Sequence, residues 1–129
     1  MKTLYDSVSE NCSKIVTHTY STSFSLATKM LDSSIRNHIY NIYGFVRFAD
    51  EIVDTFHDYP KKELLDRFEE DLFYSINNKI SLNPILNSFQ KTVNIFEIDH
   101  KLIKAFLKSM RWDLKKNIYK IQLKNSQRD

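Results

Sequence analysis

Glycine is almost missing from this sequence. One glycine and two prolines in 129 residues leave few positions for the tight turns that β-hairpins need, so an antiparallel sheet is disfavoured and an all-α chain is the simplest reading. The single cysteine, Cys12, cannot close an internal disulfide, which fits a reducing, cytoplasmic setting. It reads as a small packing residue rather than a nucleophile. No apolar run approaches the roughly 20 residues that span a bilayer. The opening residues Met1 to Asp6 lack the apolar core of a signal peptide.

What is present is one domain's worth of chain, 42% hydrophobic and 27% charged with a net charge of +3, ordinary for a globular protein. Nothing in that balance calls for a nucleic-acid partner. Much of the basic excess falls late, at Lys101, Lys104, Lys108, Lys115, Lys116, Lys120 and Lys124. A solvated helix face is the default reading of these lysines; peripheral docking on an acidic membrane or partner is the other.

Caps and breakers divide the chain. One helix is predicted from about Tyr5 to Thr19, and a short one from Ser23 to Met30, capped by Ser21 or Thr22. A third starts after the N-cap Asp32 and runs to about Phe56. Pro60 suits the first turn of a fourth that reaches about Ile76. Asn83-Pro84 repeats that signal for residues 84–96, and Asp99 caps a last helix that reaches about Tyr119. The polar tail, 122–129, is expected to be frayed.

The third segment is the most informative. Ile35, Ile39, Ile42, Val46, Ala49 and Val53 recur at alternating spacings of 4 and 3 and predict an apolar seam. Arg36, Tyr40, Tyr43, Arg47, Asp50 and Asp54 follow the same spacing one residue on. Phe45, Phe48, Ile52 and Phe56 fill a third face. A helix apolar on most sides is a central helix, so the polar stripe is expected to face an interior cavity rather than bulk water. Burying carboxylates costs several kcal/mol each unless they are compensated, and Arg47 alone cannot balance Asp50, Glu51 and Asp54.

Asp50 and Asp54 are one helical turn apart on one face, with Cβ atoms about 5–6 Å from each other. Such a pair lining a cavity suits a hard divalent cation; Mg²⁺ often takes one or two carboxylates and completes its shell with substrate phosphates and water. General acid–base work by the carboxylates is another option, although no histidine lies on the stripe. A second candidate is Tyr20-Ser21-Thr22-Ser23-Phe24, where hydroxyls before a helix start are either caps or part of an anion site. The four histidines share no metal-ligand spacing. Trp112 reads as packing, as do the Phe and Leu stripes of the last helix.

Ser21-Thr22-Ser23-Phe24, followed by Tyr43-Gly44-Phe45-Val46-Arg47-Phe48-Ala49-Asp50-Glu51-Ile52-Val53-Asp54, resembles the start of the squalene/phytoene synthases, in particular the bacterial phytoene synthase branch. Met110-Arg111-Trp112-Asp113-Leu114 resembles a later segment of the same family. The resemblance implies an all-α isoprenoid-synthase fold and head-to-head condensation of two allylic isoprenoid diphosphates, with geranylgeranyl diphosphate converted to phytoene as the leading expectation and a squalene-type product, which needs a reductant, as the other. It implies Mg²⁺ as cofactor, held by Asp50 and Asp54. It also implies diphosphate or intermediate contacts from Arg47, Tyr43 and the Tyr20 to Ser23 segment. Phe24 and Phe45 would help to form an apolar cavity, and Asp113 is a further candidate for substrate contact.

Family members carry a second aspartate-rich helix that faces the first. No second Asp-x-x-x-Asp on a comparable apolar helix occurs here; Asp66 and Glu70 share the spacing on a charge-rich segment. The chain is therefore expected to be a single partial domain, the N-terminal half of the bundle, inactive alone and prone to self-association through exposed apolar faces. The alternative is a non-catalytic helical interaction module that keeps the same half-fold. A chain elongase of the one-to-four type is disfavoured, because its acidic signature differs.

Overall fold

A computed structural model describes residues 1–126. It contains six helices among the described residues and no strand: α1 (Lys2–Tyr20), α2 (Thr22–Lys29), α3 (Ser33–Asp54), α4 (Lys61–Asn78), α5 (Pro84–Phe96) and α6 (His100–Ser126). The starts follow from local chemistry. Ser21 Oγ accepts the Phe24 amide at 3.2 Å and caps α2. Asp32 Oδ1 accepts from Ser34 N, and Asp99 Oδ1 accepts from Lys101 N. Asn83 Oδ1 takes the amides of Ile85 and Leu86 at the start of α5. Each acceptor satisfies an amide that the first helical turn leaves open.

One expectation fails at the C-terminal end. The helix expected to stop near Tyr119 continues through Ser126, so residues 122–126 of the tail expected to fray lie within α6; 127–129 lie outside the described residues. No glycine or proline interrupts this stretch. Ile118, Ile121 and Gln122 line a cavity of about 610 Å³ with residues 57 and 59–63 and Asp66, although every residue from 120 to 126 is exposed.

The described residues form two compact units. The first takes Met1–Phe48 and Glu70–Ile98, the second Ala49–Glu69 and residues from Asp99 on; α3 and α4 each contribute to both. The first unit has an apolar core of Tyr40, Phe45, Leu72, Ile76, Ile85, Leu86, Phe89 and Val93. Against it α1 lays a face of Ser9, Ser13 and Thr17, all fully buried. These small side chains spaced by four permit close packing of α1 on α5. Ser13 Oγ meets Ser88 Oγ, and Asn87 Nδ2 donates to Ser9 Oγ and Asp6 Oδ1 at 3.1 and 2.9 Å. Gly44 suits the same approach: a Cβ there would lie 3.2 Å from Ser13 Oγ, a tight contact, and 3.5 Å from Ile85 Cγ2. The second unit is built on Ala49, Ile52, Val53, Leu65, Phe68, Ile103, Leu107 and Leu114. Arg111 of α6 pairs there with Asp66 and Glu69 of α4.

The apolar seam expected along α3 is also corrected. Ile35 and Val46 are exposed, whereas Asn41, Gly44, Phe45, Ala49, Ile52 and Val53 are buried. The burial line is set by where small side chains allow approach, at Gly44 and Ala49, and not by where the largest aliphatics fall.

Candidate functional site

The polar stripe of α3 is graded, not enclosed. Tyr40 is buried, Tyr43, Arg47 and Asp50 are half-buried, and Asp54 is exposed. The expectation of an interior cavity along the whole stripe therefore fails at its Asp54 end, because the stripe borders the buried face of α3 and does not lie within it. The Tyr40 hydroxyl is buried without a hydrogen-bond partner, a state that costs about 1–3 kcal/mol unless water or a ligand meets it.

Within the first unit the structure brings four of the predicted residues together. The Phe24 ring stacks on Tyr43 with centroids 4.9 Å apart and planes inclined by 25°. The Arg47 guanidinium lies 4.7 Å from the centre of the Tyr20 ring, a cation–π arrangement. α1 ends at Tyr20 and α2 begins at Thr22, so the break between them places both aromatic rings against α3. Ser21 is committed to the cap of α2. Thr22 and Ser23 are exposed in its first turn, where the helix end favours negative charge. Phe45 lies elsewhere: two residues from Tyr43 is about 200° round the helix, and the ring is buried against Phe89 of α5, with centroids 4.1 Å apart.

Within the second unit, Asp50 and Asp54 occupy the last turns of α3. Glu51 Oε2 accepts from the Thr55 hydroxyl at 2.9 Å. Asp113 is half-buried on α6. Among the described residues no group of three or more His, Cys, Asp or Glu side chains could hold a metal ion. Among the described residues, Asp50 and Asp54 are thus not part of a protein-only metal cage.

One feature beside Asp54 escaped the sequence reading. Lys61 is 5% exposed, and its ammonium donates to the Val53 carbonyl at 2.6 Å and to His57 Nδ1 at 2.7 Å. Asn117 Nδ2 of α6 reaches the same carbonyl at 3.3 Å. The end of α3 that carries Asp54 is thereby tied to α4 and α6. Burial pushes the Lys61 ammonium below its ordinary pKa of 10.5, and the Asp54 carboxylate opposes that shift. A lysine directly after Pro60 was the available signal; its burial was not foreseeable from charge.

Trp112, read as packing, is 58% exposed, and Lys116 Nζ lies 5.3 Å from the centre of its ring. The buried face of α6 is instead Ile103, Leu107 and Leu114. No helix is long and apolar enough to cross a membrane among the described residues.

Comparison with known proteins gives this geometry its context. The squalene/phytoene synthase family profile matches residues 17–125. The chain belongs to the squalene/phytoene synthase family. It is similar to phytoene synthase 1, chloroplastic, of Solanum lycopersicum, with 30% identity over 117 residues, 90% of this chain and 27% of that protein. It is also similar to phytoene synthase, chloroplastic, of Narcissus pseudonarcissus, with 31% identity over 124 residues, 93% of this chain and 27% of that protein. The chain thus spans about a quarter of the length of these curated relatives. No solved structure gives a significant match. The described residues, helical and without a strand, agree with the all-α isoprenoid-synthase fold of the squalene/phytoene synthase family, and the aromatic cluster, both aspartates and Asp113 all fall within the matched residues.

Proposed function

We propose that this chain contributes one side of a site for head-to-head condensation of two allylic isoprenoid diphosphates, with geranylgeranyl diphosphate as substrate and phytoene as product. The observation that carries the reading is the α3 stripe, where Tyr43 and Arg47, packed on Phe24 and Tyr20, precede Asp50 and Asp54 on the same helix. Family membership supports the reaction class.

In this reading Asp50 and Asp54 are the residues that would hold Mg²⁺. When bound, the ion offsets the negative charge that grows on the departing diphosphate. Arg47 supplies guanidinium donors to the same oxygens. Thr22 and Ser23 offer hydroxyls and first-turn amides to an outer oxygen. The faces of Tyr20, Phe24 and Tyr43 shelter the allylic cation left behind. Phe45 acts from the buried side of α3, by fixing the helix against α5. Asp113 is assigned a weaker part, at the substrate's edge.

Two carboxylates supply only part of a diphosphate–metal site, so purified residues 1–129 are expected to show no turnover. Incubation with geranylgeranyl diphosphate and Mg²⁺, followed by chromatography of the lipid extract, tests this; robust phytoene formation would contradict it. Within any longer polypeptide that is active, Asp50→Asn should abolish Mg²⁺-dependent turnover while the helical circular dichroism is retained, and unchanged activity would refute the role given to Asp50.

A further inference from the structure

The burial of Lys61 costs more than its hydrogen bonds explain. The residue is 5% exposed, and its ammonium donates to the Val53 carbonyl at 2.6 Å and to His57 Nδ1 at 2.7 Å. An ammonium has only donors, so His57 Nδ1 is the acceptor. Neither partner is a carboxylate, and taking an ammonium out of water is costly unless a counter-charge repays it. The Val53 carbonyl does not need a charged donor, since the neutral Asn117 amide reaches it at 3.3 Å from α6. The counter-charge comes from the next residue along α3. Burial lowers the pKa of Lys61, and the charge of Asp54 opposes that shift. Asp54, His57, Lys61 and Asn117 all belong to the second unit.

A positive charge held beside one member of an acidic pair does not act alike on every ligand. It repels a free divalent ion. An ion that arrives with a diphosphate belongs to a complex of net negative charge near neutral pH, and that complex is attracted. The two cases differ in sign, a difference that no neutral helix anchor can produce. A lysine on the surface would swing away from an incoming ion. Lys61 is enclosed and held by two acceptors, so its charge stays beside Asp54, which is exposed.

We propose that Lys61 is a positioning residue that makes ion binding at Asp50 and Asp54 conditional on diphosphate, weakening the hold on the ion alone and strengthening the hold on the ion with its diphosphate. This rests on the reading of Asp50 and Asp54 as ion ligands and deepens it. Lys61 touches neither ligand in this assignment; it acts through the charge it sets against Asp54.

Electron paramagnetic resonance of Mn²⁺, with and without inorganic pyrophosphate, reads both affinities on the chain itself and needs no turnover. A unit charge acting on a dication through partly solvated surroundings is worth on the order of fivefold in affinity. Lys61→Met should therefore bind Mn²⁺ alone about fivefold more tightly and Mn²⁺ with pyrophosphate about fivefold more weakly. Asn117→Ala removes a neutral donor from the same carbonyl and should leave the ratio of the two affinities unchanged. Far-UV circular dichroism checks that the helices persist; should Lys61→Met unfold, Lys61→Gln, which offers the carbonyl a neutral donor, should show the same opposed changes. Equal weakening with and without pyrophosphate in these lysine variants, no change in either affinity, or an equal fall of the ratio in Asn117→Ala would overturn the assignment and leave Lys61 a helix anchor. A wild type that binds no Mn²⁺ even with pyrophosphate would overturn the ion reading of Asp50 and Asp54, and this assignment with it.

Discussion

Truncating Phe45 to alanine separates a packing role from a wall of the substrate cavity. The ring is 2% exposed and stacks on Phe89 with centroids 4.1 Å apart and planes only 3° from parallel. Two effects contribute. Loss of a fully buried phenyl group, with the cavity it leaves, costs about 3–5 kcal/mol. The ring–ring term is smaller: near-parallel stacking at this separation lies short of the roughly 4.5–7 Å range that aromatic pairs prefer, so at most about 0.5 kcal/mol belongs to the pair itself. Burial therefore decides the outcome. For a chain of this length the loss corresponds to a fall in melting temperature of roughly 10–20 °C. Urea denaturation followed by circular dichroism measures it, and a cycle of Phe45→Leu, Phe89→Leu and the double variant isolates the pair. A loss below about 1 kcal/mol for Phe45→Ala would refute the core placement and return Phe45 to the cavity. A coupling above about 1.5 kcal/mol would contradict the small share given to stacking.

Three further perturbations probe the site's supports. Lys61→Met removes the charge-assisted donor to Val53 O and leaves Asn117 as its remaining partner at 3.3 Å; a loss of about 1–2 kcal/mol is expected, the broken bond being partly offset by relief of a buried ammonium, and equal or greater stability of the variant in urea would contradict it. Ser21→Ala should cost about 1 kcal/mol at the cap of an eight-residue helix and speed amide exchange across Thr22 to Ser25, with no change if the cap is not formed in solution. At Asp6, burial raises the carboxyl pKa, but hydrogen bonds from Lys2 and Asn87 and the charges of Lys2 and Lys91 outweigh it and leave the value below 3.8. Its contribution is thus complete above about pH 3.8 and is lost as pH falls through the lowered value, so the stability gap between the wild type and Asp6→Asn should close in that acid range; a gap independent of pH would exclude these partners.

The helix starts were legible because their signals are local. Asn83-Pro84, Asp99 and Ser21 cap the helices they precede, and a cap needs only its own turn. The buried faces were less legible, since burial depends on what arrives from elsewhere in the chain. Ser9, Ser13 and Thr17 carry no apolar signal, yet they are fully buried because small side chains let α1 approach α5 and Gly44. Ile35 and Val46 carry that signal and are exposed. Charge gives no hint of the burial of Lys61, whose ammonium donates to the Val53 carbonyl at the end of α3. Hydrophobicity misled at Trp112, which faces outward beneath Lys116.

At the site, the spacing of Tyr43, Arg47, Asp50 and Asp54 was readable as one helix face, because helical periodicity is fixed. The pairing of Phe24 with Tyr43 and of Tyr20 with Arg47 was not readable from spacing, because it depends on the path between α1 and α2. Nor did periodicity alone reveal that the stripe emerges into solvent at Asp54.

The central claim, that Asp50 and Asp54 take a divalent ion jointly with diphosphate, is tested most directly by electron paramagnetic resonance of Mn²⁺ as a stand-in for Mg²⁺. Titration of the chain with Mn²⁺ is run with and without inorganic pyrophosphate, for the wild type and for the Asp50→Asn/Asp54→Asn variant. The account predicts a protein-bound signal that strengthens when pyrophosphate is present and disappears in the double variant, with the helical spectrum unchanged. A bound signal of equal strength in the double variant, or none in the wild type with pyrophosphate at saturating Mn²⁺, would contradict it.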